Sequence, residues 1–97
     1  MKYSFHPEAR DEFLNAIDYY EDCDIGLGYD FSREIFSTIK NILSFPKAWP
    51  LIENEIRRCQ TQRFPFGIMY VEKEDEVLIL AVMHLRRDPD YWKSRLK

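Results

Sequence analysis

Apolar positions recur along this chain first with a helical period and then with a strand-like one. Ala9, Phe13, Ile17 and Tyr20, with Ala16 beside them, draw one stripe along a helix from about 7 to 22. Pro7 suits the first turn, where its missing N–H is no loss, and Glu8, Asp11 and Glu12 favour the helix N-terminus. "DCDIGLG" breaks the pattern with two glycines. A second stripe follows in Phe31, Ile35, Ile39, Ile42 and Leu43, widened by Phe36, with serines, Arg33, Glu34 and Lys40 on the other side. This helix runs from about 27 to 45 and must stop before Pro46. The two form an αα-hairpin whose apolar faces need a sheet to cover them.

Strands account for the rest. "KYSF" at 2–5 is a short strand stopped by His6-Pro7. After the turn-rich "FPKAWPLIENE", alternation begins in "IRRCQTQ"; "FGIMYVE" is a further strand and the charged "KEDE" a hairpin turn. "VLILAVMH" is apolar on both faces, which predicts a central position in the sheet. Asp88 and Pro89 pair as N-cap and first turn of a short last helix, about 89–95. The predicted order is β-α-α-β-β-β-α, an α+β fold with a helical hairpin packed on a small, mainly antiparallel sheet. Residues 1–97 are expected to form one domain, with no internal repeat or low-complexity linker.

At 45% hydrophobic and 15% aromatic residues, the chain has the composition of a folding sequence with few, large core pieces. Its size limits burial to roughly 60–65% of the unfolded surface, so the stability margin should be modest. No secretory h-region opens the sequence, and "VLILAVM" is far too short to span a bilayer. Cys23 and Cys59 lack metal-type spacing and are expected as two reduced thiols, which places the protein in the cytoplasm.

Charge changes the picture more. Residues 1–36 hold nine acids and three bases, net −6, whereas the remainder is net +3. The closing stretch "HLRRDPDYWKSRLK" is itself net +3, in a chain whose total is −3. Such a dipolar molecule can offer an anionic partner one face while repelling it with another.

Two chemistries suit that tail. His84 could act as acid or base near neutral pH, Arg86, Arg87 and Arg95 could hold phosphate, and Tyr91 or Trp92 could stack a base. Alternatively His84 bonds locally, Trp92 covers the core, and the arginines form an ion-pair rim with Asp88 and Asp90. Strand alternation would send Arg86 and Arg87 to opposite sides. Arg57, Arg58 and Arg63 offer further cations from an exposed strand face. With only His6 and His84 as histidines and no phosphate loop or nucleophile elbow, no metal or cofactor is expected.

"FHPEARDEFLNAIDYYE", "FPFGIMY" and "VLILAVMHLRRDPDYWKSR" together resemble the RelE/ParE superfamily of bacterial type II toxins, among them the plasmid stabilisation proteins. The likeness covers nearly the whole chain. It implies a growth-inhibiting toxin held inactive by an antitoxin encoded next door, with no membrane partner. Ribosome-dependent members cut messenger RNA; gyrase-directed members stall DNA gyrase without cleaving nucleic acid. RNA cutters often carry an arginine where this chain has Gly67. That departure points to the ParE-like branch, with DNA gyrase as target and Arg58, Arg63, Arg86, Arg87, Trp92 and Arg95 as candidate contacts. The alternative is a ribosome-dependent endonuclease with His84, Arg86 and Tyr91 in catalysis. A third reading is an inactive member that keeps only antitoxin binding and co-repression.

Overall fold

The structure, a computed structural model, describes residues 1–87 and 90–96. Its elements are β1 (Lys2–Phe5), α1 (Pro7–Cys23), α2 (Leu27–Ser44), β2 (Leu51–Glu53), β3 (Ile56–Gln60), β4 (Phe66–Lys73), β5 (Glu76–His84) and a closing 3-10 turn (Lys93–Leu96). The strands form one sheet in the order β1-β5-β4-β3-β2. β5 runs parallel to β1, and the other pairings are antiparallel. The expected α+β architecture and the inner position of "VLILAVMH" are both present.

The helical hairpin covers one sheet face. Phe13, Phe31, Phe64 and Phe66 are buried there with Ile35, Ile39, Ile42, Ile68, Tyr70 and Ile79. The rings interlock: Phe31 lies 4.8 Å from Phe66 and 5.1 Å from Phe64 by centroid, and Tyr20 lies 4.9 Å from Phe64. Each such side chain contributes about 2 kcal/mol by burial, far more than an exposed ion pair such as Lys73–Glu55. Aromatic packing therefore holds the layers together.

Polar side chains fix the connections. His6 caps α1, its Nδ1 accepting the Glu8 N–H at 3.1 Å. The Glu21 carboxylate accepts the Gly26 and Gly28 N–H groups at 2.9 and 3.0 Å, pinning the link between the helices. Gly26 sits at φ 88°, a left-handed value natural to glycine. Gly28 is required by contact: a Cβ there would lie 2.6 Å from the Ile17 carbonyl oxygen. Across the fold, Glu34 Oε2 accepts the Arg63 and Phe64 N–H groups at 2.7 and 3.1 Å, and the Tyr70 hydroxyl donates to the Pro46 carbonyl at 2.6 Å.

The opposite sheet face carries its own cluster of Ile56, Met69, Val71, Leu80, Ala81, Met83 and Trp92. Met69 pairs with Ala81 and Tyr70 with Ile79, so Leu80 is an extra residue in β5. This bulge puts Leu80 and Ala81 in succession into the second cluster.

Three expectations need correction. The segment read as turn contains β2, a three-residue edge strand after Pro50 that returns through Asn54 at φ 47°. Such a strand is too short to show alternation. The last element is a 3-10 turn, Lys93–Leu96, with Arg95 N–H donating to the Trp92 carbonyl at 3.0 Å. The cap assigned to Asp88 and Pro89 lies outside the described residues. Finally, Arg86 and Arg87 follow the end of β5 in a turn, so strand alternation does not govern their directions.

Gly28→Ala should destabilise the protein by roughly 1–3 kcal/mol, because α1 must move away from α2 to admit the methyl group. Urea unfolding of the two proteins measures the difference.

Candidate contact site

β1 stops before β5 does. Its pairing ends at Phe5 opposite Ile79, and the His6 N–H closes it by donating to the Ile79 carbonyl at 2.9 Å. Beyond that point β5 has backbone groups without a strand beside them, and two side chains take over. Glu12 Oε1, from α1, accepts the Val82 N–H at 3.1 Å. Arg95, from the C-terminal segment, donates to the Leu80 carbonyl at 2.9 Å.

The same two side chains bind each other through both forks. Arg95 donates to Glu12 Oε1 at 3.0 Å and to Glu12 Oε2 at 2.9 Å, with side-chain exposures of only 6% and 13%. Glu8 adds a carboxylate 3.5 Å from Arg95 Nε. Burial works against the Arg95 charge, but the Glu12 hydrogen bonds and charge outweigh it and leave the guanidinium above its ordinary pKa. Farther along, Lys93 Nζ lies 2.9 Å from Glu53 of β2 and 2.7 Å from Asp90. The C-terminal segment thus crosses the second sheet face, with Trp92 against the sheet and ionic ties to β2 and to α1.

Two proposed contact residues are therefore structural. Trp92 is 2% exposed and packed in the second cluster, so it offers no stacking surface. Arg95 is consumed by Glu12, Glu8 and the Leu80 carbonyl. A third, Arg63, lies with α2: its guanidinium is 3.2 Å from Asp30 and over the Phe64 ring. It does not join the C-terminal group. Arg57 likewise holds a loop, donating to the Trp49 carbonyl at 2.6 Å.

What remains on the surface is compact. Arg86 and Arg87 are both exposed, in a turn drawn tight by two bonds to His84. The Arg86 N–H donates to His84 Nδ1 at 3.1 Å and the Arg87 N–H to the His84 carbonyl at 3.0 Å. Arg87 lies over the Tyr91 ring at 4.0 Å, with one N–H group 4.0 Å from Glu12 Oε2. Arg95 lies over the same ring at 5.0 Å. Burial first, then the Glu12 carboxylate, push the Tyr91 phenol well above its ordinary pKa. Arg58, half-exposed on β3, approaches the same region. A Cβ on Gly67 would meet both Arg58 Cδ at 3.5 Å and Leu85 Cδ2 at 3.3 Å, which sets Arg58 beside the residue preceding Arg86. Among the described residues, the Arg58 and Arg86 side chains form no ion pair.

This arrangement suits contact better than proton transfer. The His84 ring packs edge-on against Phe66 at 5.3 Å, and its Nδ1 is engaged by a backbone N–H. A phenol held protonated by burial is a poor general base. Among the described residues, no group of three or more His, Cys, Asp or Glu side chains is placed to hold a metal ion. Cys23 is exposed and Cys59 buried, both unbridged, and burial pushes the Cys59 thiol up to about 11.

Sequence reasoning missed Glu12, which reads as an ordinary acid in a helical first turn. Its one signal is position: it follows Asp11 on the flank of a stripe that includes Ala9, Phe13 and Ala16, so it lies at the border of the buried face.

A helical hairpin on a five-stranded mixed sheet, with a cationic turn at the end of β5, has the fold of a solved toxin–antitoxin component. The chain is similar to one from the "Chromosomal ParDE TA system from P. aeruginosa", at a TM-score of 0.73 and 19% identity, covering 87% of this chain and 95% of that one. A comparison with curated proteins found no match. The family model described as "ParE toxin of type II toxin-antitoxin system, parDE" matches residues 3–89, and the chain belongs to that family. It is the toxin component of a type II toxin–antitoxin system, and its cognate partner is an antitoxin protein. The family so matched is the ParE branch. Among the described residues, no helix is long and apolar enough to cross a membrane.

Truncating one partner of the buried pair, as in Glu12→Ala or Arg95→Ala, should cost roughly 3–5 kcal/mol by stranding the other charge. The double replacement Glu12→Leu with Arg95→Met should cost less than the sum, measured by chemical unfolding. Thiol titration of the native protein at pH 8 should give one rapid equivalent, from Cys23, and the second only on unfolding.

Proposed function

We propose that this toxin inhibits growth by binding DNA gyrase through the cationic turn at the end of β5. The observation that carries the reading is the exposed pair Arg86 and Arg87, with Arg58 nearby, on a chain of the ParE toxin family. Arg58, Arg86 and Arg87 make the contact, with Tyr91 as the ring beneath Arg87. The protein acts in the cytoplasm, where gyrase is found.

The antitoxin is encoded by a neighbouring gene and docks on the acidic helical hairpin and the groove beside the sheet. Leu14, Tyr19, Tyr29 and Phe36 are exposed on that hairpin. They suit an amphipathic segment that folds as it binds. The acids around them keep this surface electrostatically distinct from the cationic turn, so restraint and action occupy different faces.

Purified protein should inhibit supercoiling by gyrase and leave ribosome-bound message intact. Untouched supercoiling together with codon-spaced breaks that vanish in His84→Ala would overturn the gyrase reading in favour of the endonuclease. Harmless expression of folded protein without antitoxin would indicate an inactive member. Arg86→Ala and Arg87→Ala should each reduce toxicity more than Arg33→Ala, and inhibition should weaken as salt rises. Equal effects of the three, with folding intact, would remove the turn from its role.

A further inference from the structure

Two arginines converge on one carboxylate beside the contact turn, and they differ in what they have left to give. Arg95 is buried, and its two terminal nitrogens are engaged by Glu12 and the Leu80 carbonyl, while its Nε makes no hydrogen bond and faces Glu8 at 3.5 Å. Arg87 is 57% exposed in its side chain, lies over Tyr91 at 4.0 Å and approaches Glu12 Oε2 at 4.0 Å. A free arginine on a turn samples many rotamers and gives up that freedom on binding. Here a ring lies beneath the guanidinium, and a carboxylate fixed by two other partners stands at its edge. Removal of that carboxylate would leave Arg87 and Arg95 as two like charges over a single ring.

We propose that Glu12 is a positioning residue for the toxin's contact surface: its carboxylate, fixed by Arg95 and the Val82 N–H, holds the Arg87 guanidinium across the Tyr91 ring in the orientation that meets the target. The inference rests on reading Arg86 and Arg87 as target contacts, and goes beyond it by giving an α1 residue control over one of them. Glu12 need not touch the target.

The test is a mutant cycle between Glu12→Gln and Arg87→Ala in the full chain. Its readouts are the cellular toxin level that halves growth, the thermal midpoint, and the NMR resonance of the Arg87 Nε–H group. In the wild type that resonance should be displaced upfield by the Tyr91 ring; in folded Glu12→Gln it should return toward the value of free arginine. Arg87→Ala and Glu12→Gln should each raise the required toxin level roughly fivefold, and the double variant should need little more than either alone. A purely stabilising role would not move the Arg87 resonance in a folded variant. Full additivity, or an unmoved resonance, overturns the positioning role and leaves the contact reading standing. An unaltered toxicity of Arg87→Ala overturns both. Should Glu12→Gln fail to fold, Glu12→Asp, which keeps the charge and shortens the reach, carries the same readouts.

Discussion

The fork between Glu12 and Arg95 joins three parts of the molecule that the chain itself keeps far apart. Glu12 belongs to α1, Arg95 to the last turn, and each also completes a backbone group on β5 where β1 has ended. Two hydrogen bonds thereby close the open flank of β5, two more hold the pair together, and one more side chain, Trp92, lies on the sheet. Buried ion pairs give little net stability against an apolar substitute of the same shape. What this one supplies is direction. It fixes where the C-terminal segment lies, and with it which basic side chains face inward and which outward.

That division explains a tail that looks uniformly cationic in the sequence. Lys93 and Arg95 are turned to acids of β2 and α1, while Arg86 and Arg87 remain at the surface in a turn braced by His84. The aromatic pair divides the same way: Trp92 is core, and Tyr91 is the shelf under Arg87. Charge alone does not distinguish a binding cation from a structural one. The difference lies in whether an acid from a distant element is within reach, and only the fold brings those acids close.

Legibility in the sequence follows the same line. The stripe from Phe31 to Ile42, the alternation from Ile56, and the double-sided apolar run from Val77 to Met83 each express a local period, and each became the element expected. β2 escaped because three residues between Pro50 and Asn54 carry no period. Glu12 and Arg95 escaped because their pairing spans 83 positions and answers a need, the unpartnered edge of β5, that exists only once β1 has ended and α1 has begun. Gly67 was noticed as a missing side chain, whereas in the structure it makes room for Arg58 and Leu85 beside the turn.

The most direct measurement is native-state hydrogen exchange at the Val82 amide, whose partner is the Glu12 carboxylate and not another strand. If that carboxylate is locked as described, Val82 should exchange as slowly as the amides of the β4–β5 core. Arg95→Lys, which keeps the charge and loses the fork, should then accelerate it at least tenfold, about 1.4 kcal/mol of local protection. A Val82 amide that exchanges in the wild type as fast as those of the exposed Glu74–Asp75 turn would contradict the account.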